Sequence, residues 1–129
     1  MTDTPPTAAP VAETTEKTID WNAMLAPYRQ PVAWKSGFQL VSTAFLLALF
    51  WGLAAWSLQV GYWLTLILAV PASMMIARLF MLQHDCGHGS FFRSQKLNNL
   101  IGGALGVITL VPYAYWRRTH AIHHATSGN

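Results

Sequence analysis

Hydrophobic side chains fill the middle of this 129-residue chain and leave long stretches without a charge. No Lys, Arg, Asp or Glu occurs between Lys35 and Arg78. One helical crossing of a bilayer needs about 20 apolar residues, so this stretch is long enough for two crossings. We predict transmembrane helices over about residues 38–57 and 62–82, joined by a tight turn at residues 59–61.

Aromatic residues support this arrangement, because amphipathic rings collect where a membrane meets water. Trp56, Tyr62 and Trp63 cluster at the predicted turn, and Tyr28 and Trp34 mark the opposite surface. A buried helical hairpin inside a large soluble protein is the alternative interpretation.

A third apolar stretch, Leu97–Val111, is too short for the same role. Its 15 residues would span roughly 22 Å as a helix, against a hydrocarbon core of about 30 Å. It also contains three glycines: Gly102, Gly103 and Gly106. We predict that it is a re-entrant or interfacial segment and does not cross the membrane.

Residues 1–30 are predicted to form a disordered or interfacial tail. Three prolines among the first ten residues break any helix, and no apolar periodicity appears. A short helix over residues 20–28, with Asp20 as its N-cap, is expected to lie on the membrane surface. A loop held by Pro27 and Pro31 is the alternative.

Composition narrows the class of protein further. Apolar residues make up 53% of the chain and charged residues 10%, whereas soluble domains carry about 25% charged residues. The net charge of +3 comes from scattered basic residues, so no nucleic-acid partner is expected. The single cysteine, Cys86, excludes a disulfide within the chain.

Orientation follows from the basic residues, which favour the cytoplasmic side of a membrane. They flank both outer ends of the predicted hairpin, and the turn at residues 59–61 has none. We therefore expect a multi-pass membrane protein whose N-terminus and outer helix ends are cytoplasmic. The basic residues concerned are Arg29, Lys35, Arg93, Lys96, Arg117 and Arg118.

The five histidines form two tight groups, at residues 84–88 and 120–124. On a helix, residues three and four apart share one face, so each group becomes a cluster of imidazoles. Imidazole is the commonest metal ligand and suits Zn, Cu, Fe and Ni. The candidate metal ligands are His84, His88, His120, His123 and His124.

Both groups can share one site if the segment Leu97–Val111 does not cross the membrane. Five imidazoles exceed the needs of one tetrahedral zinc, which favours a two-metal site with further ligands from elsewhere. Asp85 is a candidate to orient a ligand histidine, or else a surface charge at the helix end. For Cys86 a packing role is favoured over metal binding, and Gly89 is expected to end the helix.

These residues resemble a known family. The first histidine box of the membrane fatty acid desaturases, HxxxH, is similar to His84-Asp-Cys-Gly-His88. With Ser90 and Phe91 after it, this segment most resembles the acyl-lipid desaturases of the Δ12/ω type. The segment from Trp116 to His124 resembles the second box, HxxHH. The resemblance covers roughly residues 30–129.

The resemblance implies a fold and an activity. The fold class is all-α: an integral membrane hairpin, the interfacial or re-entrant segment, and cytoplasmic helices that carry the histidine boxes. The implied enzyme uses two irons, O₂ and electrons from ferredoxin or cytochrome b5 to make a cis double bond in an acyl chain linked to lipid, CoA or ACP. By position, the iron ligands are His84, His88, His120, His123 and His124. The substrate-binding residues remain unassigned.

Three alternatives stay open from the sequence. A related membrane di-iron oxygenase, such as an alkane or carotenoid hydroxylase, shares the histidine-rich plan, although alkane hydroxylases usually show HxxxHH in box two. A membrane zinc protease would use the HExxH spacing, with Asp85 where the Glu base belongs. A non-catalytic metal-binding membrane fragment is the third.

The resemblance also implies a third histidine box after two further membrane helices, and the printed sequence stops at Asn129. Residues 31–129 are therefore expected to be the N-terminal portion of a desaturase domain. We predict that the purified 129-residue chain, supplied with iron, O₂ and an electron donor, makes no unsaturated product. Detecting that product by gas chromatography would overturn the prediction.

Overall fold

The computed structural model describes residues 20–127, and its regular elements there are all helical. The all-α prediction is confirmed. Most of the predicted tail, residues 1–19, lies outside the described residues. The described elements are α1 (Trp21–Leu25), a 3-10 turn (Ala26–Arg29), α2 (Ala33–Ser57), α3 (Tyr62–Gly87), α4 (Gln95–Ile108) and α5 (Tyr113–Thr126).

The short helix α1 begins where the sequence indicated. Asp20 Oδ1 accepts a hydrogen bond from the backbone N–H of Ala23 at 3.1 Å, so Asp20 is the predicted N-cap. The α-helix ends at Leu25, and the 3-10 turn with Pro27 follows. This single-turn element leads the chain to the start of α2.

Helices α2 and α3 pack along each other as a hairpin, and both are long and apolar enough to cross a membrane. The predicted tight turn is confirmed, because the N–H groups of Val60 and Gly61 both donate to the carbonyl of Ser57 at 2.9 Å. Each helix extends about one turn beyond the predicted crossing, to Ala33 and Gly87. The extension of α3 carries the first histidine group past the apolar segment.

Two side-chain hydrogen bonds join the hairpin helices. The Ser57 and Thr65 hydroxyls lie 2.7 Å apart beside the turn. Nearer the other end, Arg78 Nε donates to Thr43 Oγ1 at 3.0 Å. Polar groups of a membrane helix need such partners, because lipid offers none. These bonds therefore fix the register of α2 against α3.

The loop after α3 is held on both sides. Gly89 has a φ of +71°, a conformation that favours glycine and ends the helix as expected. Ser36 of α2 donates its hydroxyl to the carbonyl of Phe91 at 2.6 Å. The buried Asn98 amide accepts from the N–H of Phe92 and donates to its carbonyl, both at 2.8 Å. The start of α4 is therefore fixed against the end of α3.

Helices α4 and α5 meet at a break and are bent by 107°. The predicted segment Leu97–Val111 is thus the short helix α4 and the turn after it, in the geometry of a re-entrant loop or a broken span. Buried Gln83 of α3 fixes the turn: its Oε1 accepts from the Thr109 hydroxyl at 2.6 Å, and its Nε2 donates to the carbonyl of Val111 at 3.4 Å. Leu110 adopts a φ of +58° there. The bend directs α5 back toward the end of α3.

Candidate metal centre

The two predicted histidine groups lie at the end of α3 and along α5. His84 is in the last turn of α3, and His88 caps that helix. His120 and His124 are four residues apart on α5, with His123 between them. The helical spacing aligns the imidazoles within each group, and the bend between α4 and α5 brings the second group against the first.

Four ring nitrogens converge where the groups meet. His88 Nε2 lies 3.3 Å from His84 Nε2 and 3.2 Å from His120 Nε2. His120 Nε2 in turn lies 3.0 Å from His124 Nε2. Of these four residues, His84, His88 and His120 place their ligand atoms all within 4.8 Å of one another.

Hydrogen bonding alone explains this cluster poorly. A neutral imidazole Nε2 carries either one proton or one lone pair, directed along the ring plane. It therefore cannot serve two nitrogens at once, yet the Nε2 atoms of His88 and His120 each have two neighbours. Two nitrogens about 2.1 Å from one metal ion lie roughly 3.0 Å apart at a right angle and roughly 3.4 Å apart at the tetrahedral angle. The observed spacing fits shared metal ligands.

His123 is placed differently from the other four histidines. Its ring centroid lies 6.2 Å from that of His120 and 5.9 Å from that of His124. Its Nε2 faces the Ser127 hydroxyl at 3.3 Å. The structure therefore brings four of the five predicted ligands together and leaves His123 at the edge of the cluster.

Asp85 and Cys86 lie next to the cluster in different settings. Asp85 Oδ1 approaches His84 Nδ1 at 3.5 Å, a close contact without a hydrogen bond. His84 Nδ1 is buried and has no hydrogen-bond partner among the described residues, and Asp85 lies close enough to orient that ring. Cys86 is fully buried in an apolar cluster with Leu79 and Leu82, which matches the packing role.

The protonation equilibria of the cluster favour neutral imidazoles. Burial, followed by the neighbouring rings of His84 and His124, lowers the pKa of His88 below its ordinary value. Burial and the surrounding imidazoles also lower the pKa of His120. Because only the neutral ring offers a lone pair to a metal, both effects favour metal binding.

Trp116 also belongs to this site, which was not predicted from the sequence. Its indole stacks on the His120 ring at 4.6 Å and 18°, and meets Phe80 edge-on at 5.6 Å. It also lies directly on Gly87, where an added Cβ would come within 2.7 Å of the ring. The available signal was its position four residues before His120, which places both on one face of a helix.

An open cavity of about 1250 Å³ lies beside the histidine cluster. Most of its lining is apolar or small, and two of the clustered imidazoles stand at its edge. The lining includes His88, Gly103, Val107, Leu110, Tyr113 and His120.

The chain belongs to the fatty acid desaturase family, whose sequence model matches residues 61–129, more than half of the chain. This confirms the resemblance seen in the histidine boxes. A fatty acid desaturase of Bacillus subtilis is 44% identical over 105 residues, which is 81% of this chain and 30% of the relative.

Two further relatives carry more specific names. An sn-1 acyl-lipid omega-3 desaturase (ferredoxin) of Synechocystis is 42% identical over 88 residues, covering 65% of this chain and 23% of the relative. An endoplasmic reticulum omega-3 fatty acid desaturase of Nicotiana tabacum is 46% identical over 77 residues, covering 60% and 19%. The chain thus spans less than a third of each of these relatives. No solved structure is significantly similar to it.

The different positions of His88 and His123 give a direct test of the centre. Loss of a residue that only orients a ligand typically lowers metal affinity by roughly 10- to 100-fold. We predict that His88→Ala lowers the affinity for the first equivalent of Co²⁺ by more than this, because His88 is itself a ligand in the proposed centre. His123→Ala should keep that affinity within about threefold, because its ring stands outside the converging group. Optical titration of the purified chain measures both constants, and equal losses would contradict the geometry.

Proposed function

We propose that this chain is the part of a membrane fatty acyl desaturase that supplies the first two histidine boxes. The observation that carries the proposal is the convergence of four imidazole Nε2 atoms, two from each box, in a chain that belongs to the desaturase family. The reaction proposed is the introduction of a cis double bond into an acyl chain. Two hydrogens leave the chain, and O₂ takes them up with two electrons and two protons to form two waters.

Two irons are the proposed cofactor. His84, His88 and His120 would hold one iron, because their ligand atoms all lie within 4.8 Å of one another. His123 and His124 are proposed as further iron ligands. Further ligands would come from parts of the desaturase that this chain does not cover, since the relatives are more than three times as long as the matched segment. When bound, the irons supply the reduction of O₂ that makes cleavage of an unactivated C–H bond possible.

The protein side chains tune this centre in two ways. Uncharged imidazoles leave the metal charge uncompensated, so the irons stay electrophilic. When His84 binds a metal, its Nδ1–H is proposed to donate a hydrogen bond to Asp85, and the present 3.5 Å contact would shorten. That bond would keep the proton on Nδ1 and leave the lone pair on His84 Nε2, the nitrogen that faces the other ligands.

The cavity beside the cluster is the proposed place for the acyl chain. Val107 and Leu110 give it an apolar wall, and Gly103 leaves open space above α4. A cavity with a mostly apolar lining suits a long hydrocarbon. His88 and His120 at its edge would bring the chain to the metal centre.

The membrane arrangement proposed for the desaturase follows the charge pattern. The hairpin of α2 and α3 crosses the bilayer, and both histidine boxes lie on the cytoplasmic side with the N-terminus. That side also admits a soluble electron donor, ferredoxin or cytochrome b5. The relatives from Synechocystis and Helianthus annuus carry ferredoxin in their names, which favours the first. The acyl chain would be linked to lipid, CoA or ACP.

The activity is testable in a chimera. We predict that the Bacillus subtilis relative remains a desaturase when its 105 matching residues are replaced by those of this chain. His88→Ala in the chimera should abolish the unsaturated fatty acids, because it removes the imidazole with two Nε2 neighbours. Gln59→Ala, in the exposed turn far from the cluster, should leave them unchanged. Fatty acid analysis of cells carrying each version gives the answer, and an alcohol product would favour a hydroxylase.

The cavity gives a separate prediction. In the active chimera, Gly103→Phe should lower conversion of long acyl chains at least about tenfold, since an aromatic ring would occupy space the substrate needs. A Cβ on Gly103 meets no atom within 4 Å, so the ring enters open space. Gly52→Phe is the matched control, because Gly52 on α2 is equally unobstructed. Equal conversion of long acyl chains by both variants would contradict the proposal that the acyl chain binds in this cavity.

A further inference from the structure

Arg117 connects the two histidine boxes through the backbone at the end of α3. It lies on α5, three residues before His120. Its Nε donates to the carbonyl of Gly87 at 3.2 Å. That carbonyl belongs to the peptide group that joins Gly87 to His88. The guanidinium therefore bonds the backbone directly next to one candidate ligand and stands one helical turn from another.

The other end of the guanidinium is held by α4. Arg117 Nη1 donates to Asn99 Oδ1 at 2.9 Å. The same oxygen accepts from Gln95 Nε2 at 3.0 Å and from the Tyr113 hydroxyl at 3.4 Å. Arg117 is thus fixed between the end of α3 and the middle of α4, and its own helix α5 is fixed with it.

The chemistry of the contact suits arginine in particular. The last carbonyls of a helix have no partner within the helix and carry partial negative charge, so a cation stabilises them. Arginine presents several N–H donors in a planar fork, and two of them reach separate acceptors here. Lysine, a single point charge on a flexible stem, would lose the fixed angle between the two bonds.

We propose that Arg117 is a positioning residue for the metal centre: it holds the Gly87–His88 peptide against α5 so that the Nε2 atoms of His88 and His120 stay within the distance of ligands to one metal. The inference rests on the proposed metal centre and adds to it. Arg117 touches no candidate ligand atom and acts only through the backbone of His88 and through the placement of α5.

The test is Co²⁺ titration of the full chain in detergent, with the visible absorption spectrum recorded at saturation. Arg117→Met, which keeps the stem and removes the fork, should weaken Co²⁺ binding about 10- to 100-fold and change the spectrum. Arg93→Met is the matched control, since Arg93 lies exposed in the loop before α4; it should stay within about twofold of wild type.

A second pair of variants separates positioning from general stability. Asn99→Asp keeps an acceptor for Arg117 Nη1 and should bind Co²⁺ as tightly as wild type or tighter. Asn99→Leu removes that acceptor and should weaken binding at least threefold, with Arg117 itself unchanged. This pair decides the matter if Arg117→Met loses its helical circular dichroism.

The possible failures are distinct. If wild type binds Co²⁺ and Arg117→Met binds within about twofold of it with the same spectrum, the positioning role is overturned and the metal centre stands. Equal weakening by Asn99→Asp and Asn99→Leu also overturns the positioning role. If wild type takes up no Co²⁺, the metal centre and the inference are both overturned.

Discussion

The close approach of Trp116 to Gly87 sets the distance between α3 and α5, and the histidine cluster depends on that distance. Any side chain at Gly87 would push the indole away, because its Cβ would lie 2.7 Å from the ring. The same indole stacks on the His120 ring at 4.6 Å. A shift of the indole would therefore be passed to His120 and would widen its 3.2 Å approach to His88.

Much of the architecture was predictable from the sequence because it depends on local pattern. The uncharged stretch fixes two helices of membrane length, and the turn at residues 59–61 is the only break between them. Helical periodicity aligns His84 with His88 and His120 with His124 without any knowledge of the fold. The 15 residues of Leu97–Val111 are too few for a helix of membrane length, and α4 ends at Ile108.

The remainder depends on contacts between residues far apart in the chain. Helical periodicity predicts that His123 and His124 both lie beside His120. In the structure, His124 faces the His120 ring nitrogen and His123 does not, and this difference depends on how α5 packs on α3. The Gln83 contacts that fix the α4–α5 turn join residues 26 and 28 positions apart. In the sequence, Arg117 was one of the basic residues used to predict the orientation in the membrane. Its hydrogen bond to the end of α3 joins residues 30 positions apart and has no sequence pattern that predicts it.

Helix α5 buries little apolar area, so a bound metal would add to the contacts that hold it. Of its residues only Tyr113 is buried, so little apolar area holds the helix in place. A metal shared by His88 and His120 would join positions 32 residues apart, closing a loop around α4 as a covalent cross-link does. Metal binding would then stabilise the docked helix by a free energy that grows with the logarithm of the metal concentration once that concentration exceeds Kd. Chelation would loosen α5 as well as remove the metal, so supply of the ion would govern the folded geometry of the site.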